Sequence, residues 1–212
     1  MQTIKMKIER YIGVEIKPEK MQVCQALNSK TETFPGVDHG WRQDINDITE
    51  EDIIALGHNE IKAGFLAAPC GDFSLLRLLA NRPGFEHMAK IDGVDPRPGL
   101  KGEQGKLTMV GIKVFEWILK HNPDAVLLSE NVDFRRMKED WDTVCSTLLG
   151  EPMLLNGAKL STTKRLRAWW SNKTITEDMV IKFANGPIDP DSCMNEGRRV
   201  DKYWAGNEWN TR

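Results

Sequence analysis

Apolar positions along the chain fall into two periods, short continuous runs and one long helical stripe. From Ile8 to Ile16, the residues Tyr11, Ile12, Val14 and Ile16 form a β-rich run closed by Lys17-Pro18, which predicts a short buried strand ending at an acidic residue, Glu15. A polar stretch containing Pro35-Gly36 follows. Thr49-Glu50-Glu51-Asp52 then precedes Ile53, Ile54 and Leu56: a hydroxyl cap, acids where the helix dipole favours them, and a stop at Gly57 predict a short helix. Ala63 to Ala68 is too short for a helix and is broken by Pro69, so it reads as a central strand. From Lys106 to His121, Leu107, Val110, Val114, Trp117 and Ile118 recur at helical spacing, and Lys120-His121-Asn122-Pro123 supplies a stop. Ala125 to Ser129 reads as a third strand, Arg135 to Leu149 as a helix, and Pro152 to Ala158 and Ala168 to Ser171 as further strands.

Strands alternating with helices predict an α/β fold around a mostly parallel sheet, with ligands beyond the carboxyl ends of the strands. The segment from Asn185 to Arg212 has little periodicity, so the expected organisation is a core over 1–184 and a loop-rich tail over 185–212. With 212 residues, 40% hydrophobic and 28% charged, the chain has an ordinary globular composition. Its net charge of -2 gives no global basic field, so a nucleic-acid site would have to be local. One stretch meets that condition: between Pro152 and Thr176 stand Lys159, Lys164, Arg165, Arg167 and Lys173 with no acid.

Cys24, Cys70, Cys145 and Cys193 are spread singly, and His39, His58, His87 and His121 have no matching partners at ligand spacing. No metal site is expected. The polar N-terminus and the lack of a long apolar run predict an intracellular protein without a membrane span.

Pro69-Cys70 follows an apolar strand, where an α/β sheet presents reactive side chains, but a lone cysteine there is more often packing than nucleophile. Ser129-Glu130-Asn131-Val132 puts a carboxyl at the end of the next strand, and a parallel sheet can set the two side by side. The ordered set Pro69-Cys70-Gly71-Asp72-Phe73-Ser74, Glu130-Asn131-Val132 and Arg165-Leu166-Arg167 resembles the cytosine carbon-5 DNA methyltransferases, closest to the animal de novo branch and its bacterial and phage relatives. The resemblance covers roughly Ile8 to Asn172, with a weaker echo around Cys193 to Asp201.

The resemblance implies a Rossmann-like methyltransferase sheet with helices on both faces, S-adenosyl-L-methionine as cofactor and DNA as partner. Cys70 would be the nucleophile that adds to carbon 6 of cytosine, Glu130 the acid at the ring nitrogen and amine, and Arg165 and Arg167 the groups orienting the base carbonyl and a phosphate. Glu15 is similar to the acid that binds the cofactor ribose, Asp44-Ile45 to the adenine-contacting pair, and Pro69 completes the cofactor set. Ser74 and Asn131 would steady the loop and the substrate base, which must flip out of the duplex. Gly102 to Leu107 resembles the loop and helix start that follow the cysteine loop.

A complete member of the family begins with a strand and a Phe-x-Gly-x-Gly type turn, and continues beyond Asp201 into a recognition region. The sequence matches neither, so the resemblance implies a core truncated at both ends and incomplete at the glycine-rich turn. Three readings follow: a partial enzyme, a subunit completed by a second chain that supplies the turn or the recognition region, and a non-catalytic binding or regulatory module. A tRNA cytosine-5 methyltransferase is an alternative on the same chemistry. The expected compartment is the cytoplasm or nucleoid for a prokaryotic or phage source and the nucleus for a eukaryotic one.

Overall fold

A computed structural model of the chain describes residues 11–27, 31–35, 41–42, 44–75, 97–159 and 165–183. Two compact units emerge, Met1–Lys62 with Val110–Ala125, and Ala63–Met109 with Val126–Arg212. The expected tail over 185–212, Cys193, His39, His87 and Lys164 lie outside the described residues.

In the first unit β1 (Tyr11–Gly13), α1 (Pro18–Leu27), β2 (Thr31–Pro35) and β3 (Trp41–Arg42) build a three-stranded sheet in the order β1-β2-β3. β1 pairs parallel with β2 and β2 antiparallel with β3. The expected buried strand is therefore shorter and more open than its sequence suggests. It ends before Glu15, and Tyr11, Val14 and Ile16 are exposed. The cause is local: Lys17 N–H donates to Glu15 Oε1 at 3.0 Å, turning the chain into α1 with Pro18 at the first helical position, where a missing N–H costs nothing. α1, β2 and β3 occupy a stretch that reads as merely polar. In α1 Met21 is buried while Val23 is exposed, so no clear stripe marks the helix.

α2 (Glu50–Ala55) starts as its sequence dictates. Asp52 N–H donates to Thr49 Oγ1, and Thr49 N–H donates to Asp52 Oδ2 at 2.8 Å, a reciprocal capping box. Gly57, at φ +103°, ends the segment in a conformation that favours glycine. α3 (Lys106–His121) has the predicted bounds, and Asn122 ends it by taking the Ile61 N–H on its Oδ1 at 2.9 Å. The expectation that the histidines lack partners fails at His121. Its Nε2 lies 2.8 Å from Glu50 Oε1, Lys120 Nζ reaches the same oxygen at 2.6 Å, and His58 stands edge-on to its ring. Lys120 first and His121 second hold the Glu50 carboxyl below its usual range.

The second unit is built on β4 (Ala63–Ala67), β5 (Val126–Val132), β6 (Met153–Asn156) and β7 (Leu166–Ser171), with α4 (Lys138–Cys145) and α5 (Glu177–Phe183). The strand order is β4-β5-β7-β6, with β4 parallel to β5 and β7 antiparallel to both its neighbours. The sheet is thus mixed, where the sequence suggests a mostly parallel one. Residues 157–165 are too few to carry a crossover, so β6 and β7 must pair as a hairpin. β4 stands at the edge of this described sheet and not at its centre, with Phe65 59% exposed. The expected helix over 135–149 shortens to α4 because the hydroxyls of Ser146 and Thr147 bond back to the carbonyls of Thr143 and Val144.

Side chains alternate across these strands. Leu127, Ser129, Asn131, Ala168 and Trp170 are buried, whereas Phe65, Glu130 and Trp169 share the more open face. Under the buried face Phe73 stacks on Phe134 at 4.4 Å between centroids, and Trp141 and Trp170 complete an aromatic cluster at 5.2–5.6 Å. Phe134→Ala should cost about 3–5 kcal/mol in urea unfolding, against about 0.5 kcal/mol or less for Phe65→Ala; equal losses would contradict this core.

Candidate active site

Cys70 leaves β4 three residues after Ala67, and Ala67 lies opposite Glu130 in the parallel ladder. Across the next ladder Glu130 faces Trp169, with Arg167 two positions away on the same side of β7. That register allows Arg167 Nε to donate to Glu130 Oε1 at 2.8 Å, with the side chains only 19 and 20% exposed. Glu130 Oε2 has no partner among the described residues. Burial first, and then the neighbouring charge of Arg165, hold the Arg167 guanidinium below its ordinary pKa; Glu130 and the Cys70 sulfur act the other way. Glu130 and Arg167 therefore pair at one end of the β4–β5–β7 ladder, and Arg165 and the Cys70 thiol act on the same guanidinium.

Cys70 is a half-buried free thiol. Its carbonyl accepts the N–H groups of Phe73 at 3.1 Å and Ser74 at 2.9 Å, which closes the chain into a tight turn. Pro69 is exposed just before it, and Ser74 is half-buried within the turn. Asn131 goes elsewhere. It is 3% exposed on the face opposite Glu130, its Oδ1 takes the Val132 N–H, and its Nδ2 is buried with no partner among the described residues. Glu130-Asn131-Val132 are the last three residues of β5 and Leu166-Arg167 the first two of β7, so both strands run further than the sequence suggests, to Val132 in place of Ser129 and from Leu166 in place of Ala168. Of the basic stripe, Arg165 and Lys173 are exposed.

Several groups that hold the site escape a reading by motif. Asp72 Oδ2 accepts the N–H groups of Gln104 at 2.8 Å and Gly105 at 2.9 Å, at the start of α3. Arg97 Nη1 donates to Phe73 O at 3.3 Å. Beyond β5, Asp133 grips Arg135 through two oxygens, Nε at 2.9 Å and Nη2 at 2.8 Å. The signal available in the sequence was an acid two places after a cysteine, and glycines at 99, 102 and 105 leading into a helix.

Glu15, Asp44 and Ile45 belong to the first unit. One Glu15 oxygen takes the Lys17 N–H, while the other, among the described residues, meets Lys20 at 3.7 Å, so the carboxylate keeps capacity for a pair of hydroxyls. Asp44 Oδ1 accepts both the N–H and the Nδ2 of Asn46, which fixes the acid beside a half-buried Ile45. The acceptor oxygens of these two carboxylates suit the hydroxyls of a ribose and the amine of an adenine edge. Among the described residues no three His, Cys, Asp or Glu side chains group as metal ligands, and no helix is long and apolar enough to cross a membrane.

No protein-family model and no curated protein matches the chain. Among solved structures, it is similar to a triple mutant of DNMT2 from Spodoptera frugiperda, with 16% identity and a TM-score of 0.48 over 94% of this chain and 55% of that one. It is also similar to the methyltransferase EhMeth from Entamoeba histolytica, with 11% identity and a TM-score of 0.43 over 78% of this chain and 45% of that one. The chain spans about half the length of each.

Two outcomes follow from the geometry. In a double-mutant cycle, Glu130→Gln with Arg167→Gln should show a coupling of about 1–2 kcal/mol, against about 0.5 kcal/mol or less for the exposed pair Lys113–Glu116. The Asp133 carboxyl is held low chiefly by its Arg135 bonds, so the stability it adds is present above the ordinary aspartate pKa and fades as pH falls through the lower folded-state value. Arg135→Gln should flatten the acid limb of the stability–pH curve below about pH 4; an unchanged limb would show that the fork contributes nothing.

Proposed function

We propose that the chain is the core of an S-adenosyl-L-methionine-dependent methyltransferase acting on carbon 5 of a flipped cytosine in DNA. What supports this reading is the Arg167–Glu130 bond between β7 and β5, beside the end of β4 that leads into Cys70.

Carbon 5 of cytosine is a poor nucleophile. Addition of the Cys70 thiolate to carbon 6 forms a C–S bond and moves electron density onto carbon 5, while charge builds at the ring nitrogen and exocyclic amine. Glu130 supports that charge by giving a proton from one oxygen to the ring nitrogen and accepting the exocyclic amine N–H, while Arg167 fixes its other oxygen; the proton returns to Glu130 when the adduct breaks down. Arg165 and Arg167 carry like charges close enough to depress the guanidinium of Arg167, an arrangement that an anion relieves. The base carbonyl and a flanking phosphate supply the partial and full negative charge for it. S-adenosyl-L-methionine, when bound, supplies the electrophilic methyl group. Glu15, Asp44, Ile45 and Pro69 are the residues that would hold it. Loss of the carbon-5 proton to solvent water then sends its electron pair into the ring, which breaks the bond between carbon 6 and sulfur and returns the Cys70 thiolate.

A second chain carrying a glycine-rich turn or a target-recognition region completes the assembly in this reading. The competing readings are a tRNA cytosine as substrate and a module that binds without reacting. A thiol, an acid and paired arginines held together favour chemistry over binding alone, because a binding module has no use for the sulfur.

A DNA duplex carrying 5-fluorocytosine, incubated with S-adenosyl-L-methionine and the chain completed by a glycine-rich turn supplied in cis or in trans, should give a covalent adduct that survives denaturation. Cys70→Ser should abolish it, and Glu130→Gln should slow it by about 100-fold or more. An adduct with tRNA and none with DNA would move the substrate to RNA. Binding of DNA with no adduct, even with a complementing chain, would make this a binding module.

A further inference from the structure

The turn that carries Cys70 is fastened to the opening of α3 through one buried carboxylate. Asp72 is 2% exposed, its Oδ2 takes the N–H groups of Gln104 and Gly105, and its own carbonyl takes the N–H of Gly99 at 3.1 Å. These amides open a 16-residue helix, where unpaired N–H groups and the helix dipole favour a negative charge. The two loops leave no space between them. A Cβ at Gly71 would collide with Gln104 Oε1, one at Gly102 with the Asp72 carboxylate, and one at Gly105 with the Gly99 carbonyl. From the other side, Phe73 is fully buried against Phe134. Asp72 thus stands between Gly71, which packs under the Gln104 side chain, and the buried ring of Phe73.

We infer that Asp72 is the positioning residue for the Cys70 thiol: its grip on the Gln104 and Gly105 amides fixes the turn, and so sets where the sulfur stands relative to Glu130 and Arg167. The inference rests on the methyl-transfer reading for its effect on rate, though not for the placement itself. Loss of the carboxylate leaves two helix-opening amides without an acceptor and frees the turn to shift. A displacement of about 1 Å at a reacting atom is enough to slow chemistry by about 100-fold while leaving binding largely intact.

The test is single-turnover trapping on 5-fluorocytosine DNA at saturating DNA and cofactor, with DNA affinity measured alongside. Asp72→Ala should trap about 100-fold more slowly with affinity changed by no more than about 3-fold, and Asp72→Asn, which keeps an acceptor oxygen, should recover most of the rate. Trapping by Asp72→Ala at the native rate would overturn the inference, as would equal losses of rate and affinity. If Asp72→Ala does not fold, Gly102→Ala crowds the same carboxylate and should slow trapping in the same way. If the chain forms no adduct even with a complementing chain, the methyltransferase reading fails, and iodoacetamide decides the placement: in Asp72→Ala the alkylation rate of Cys70 should change about 5-fold relative to Cys145 in the same molecule. An unchanged ratio there overturns it.

Discussion

The backbone register of β5 against its two neighbours governs everything else in the second unit. Ala67 pairs with Glu130, and Glu130 pairs with Trp169, so the end of β4 that leads into Cys70 and the guanidinium on β7 flank the same carboxylate from opposite sides. A slip of one residue on β5 would send Glu130 to the buried face and raise Asn131 in its place. The register resists that slip because Leu127, Ser129 and Asn131 are committed to the interior, where Ala168 and Trp170 meet them from β7. Asn172 reinforces it by accepting the Leu127 N–H at 2.8 Å beyond the end of β7. Core packing and site geometry are therefore one constraint, expressed on the two faces of one strand.

Much of this was legible in the sequence, and the failures have physical causes. α3 could be read to the residue because its apolar spacing is sustained over four turns and ends at a side chain, Asn122, that takes over a backbone partner. The cap of α2 was equally plain, since Thr49 and Asp52 need nothing outside their own turn. α1 was invisible because a helix with no continuous buried stripe carries no periodic signal. The antiparallel setting of β7 was missed because the pattern of apolar runs is silent on direction, and only the short 157–165 connection betrays it. His121 looked solitary because its partner, Glu50, lies 71 positions away.

The candidate site divides along the same line. Cys70, Glu130 and Arg167 could be named from short motifs, since each stands at or near a strand end where the sheet presents side chains. Asn131 looked equivalent to Glu130 from its place in the motif, yet the two-residue period of a strand sends it to the other face. Asp72 and Arg97 could not be found that way, because what they hold is backbone: the amides of Gln104 and Gly105 for one, the carbonyl of Phe73 for the other. Bonds to a main chain leave no trace in residue types, so supporting groups are the last to appear in a sequence.

The Glu130–Arg167 pair itself argues for chemistry over scaffolding. Both groups are about four-fifths withdrawn from water, and a second guanidinium nearby works against the charge on Arg167. Well-packed apolar residues of similar volume would hold β5 to β7 at least as well, because the desolvation of two ions consumes most of what their attraction returns. Ser129 and Trp170, the pair beside it on the buried face, show the ordinary solution: a small hydroxyl under a large ring. In the methyl-transfer reading, an ion pair kept on the open face, with one carboxylate oxygen that has no partner among the described residues, is completed by a group from outside the protein. A flat, polar ring with an amine for Glu130 and a carbonyl for the arginines has the required shape and charge.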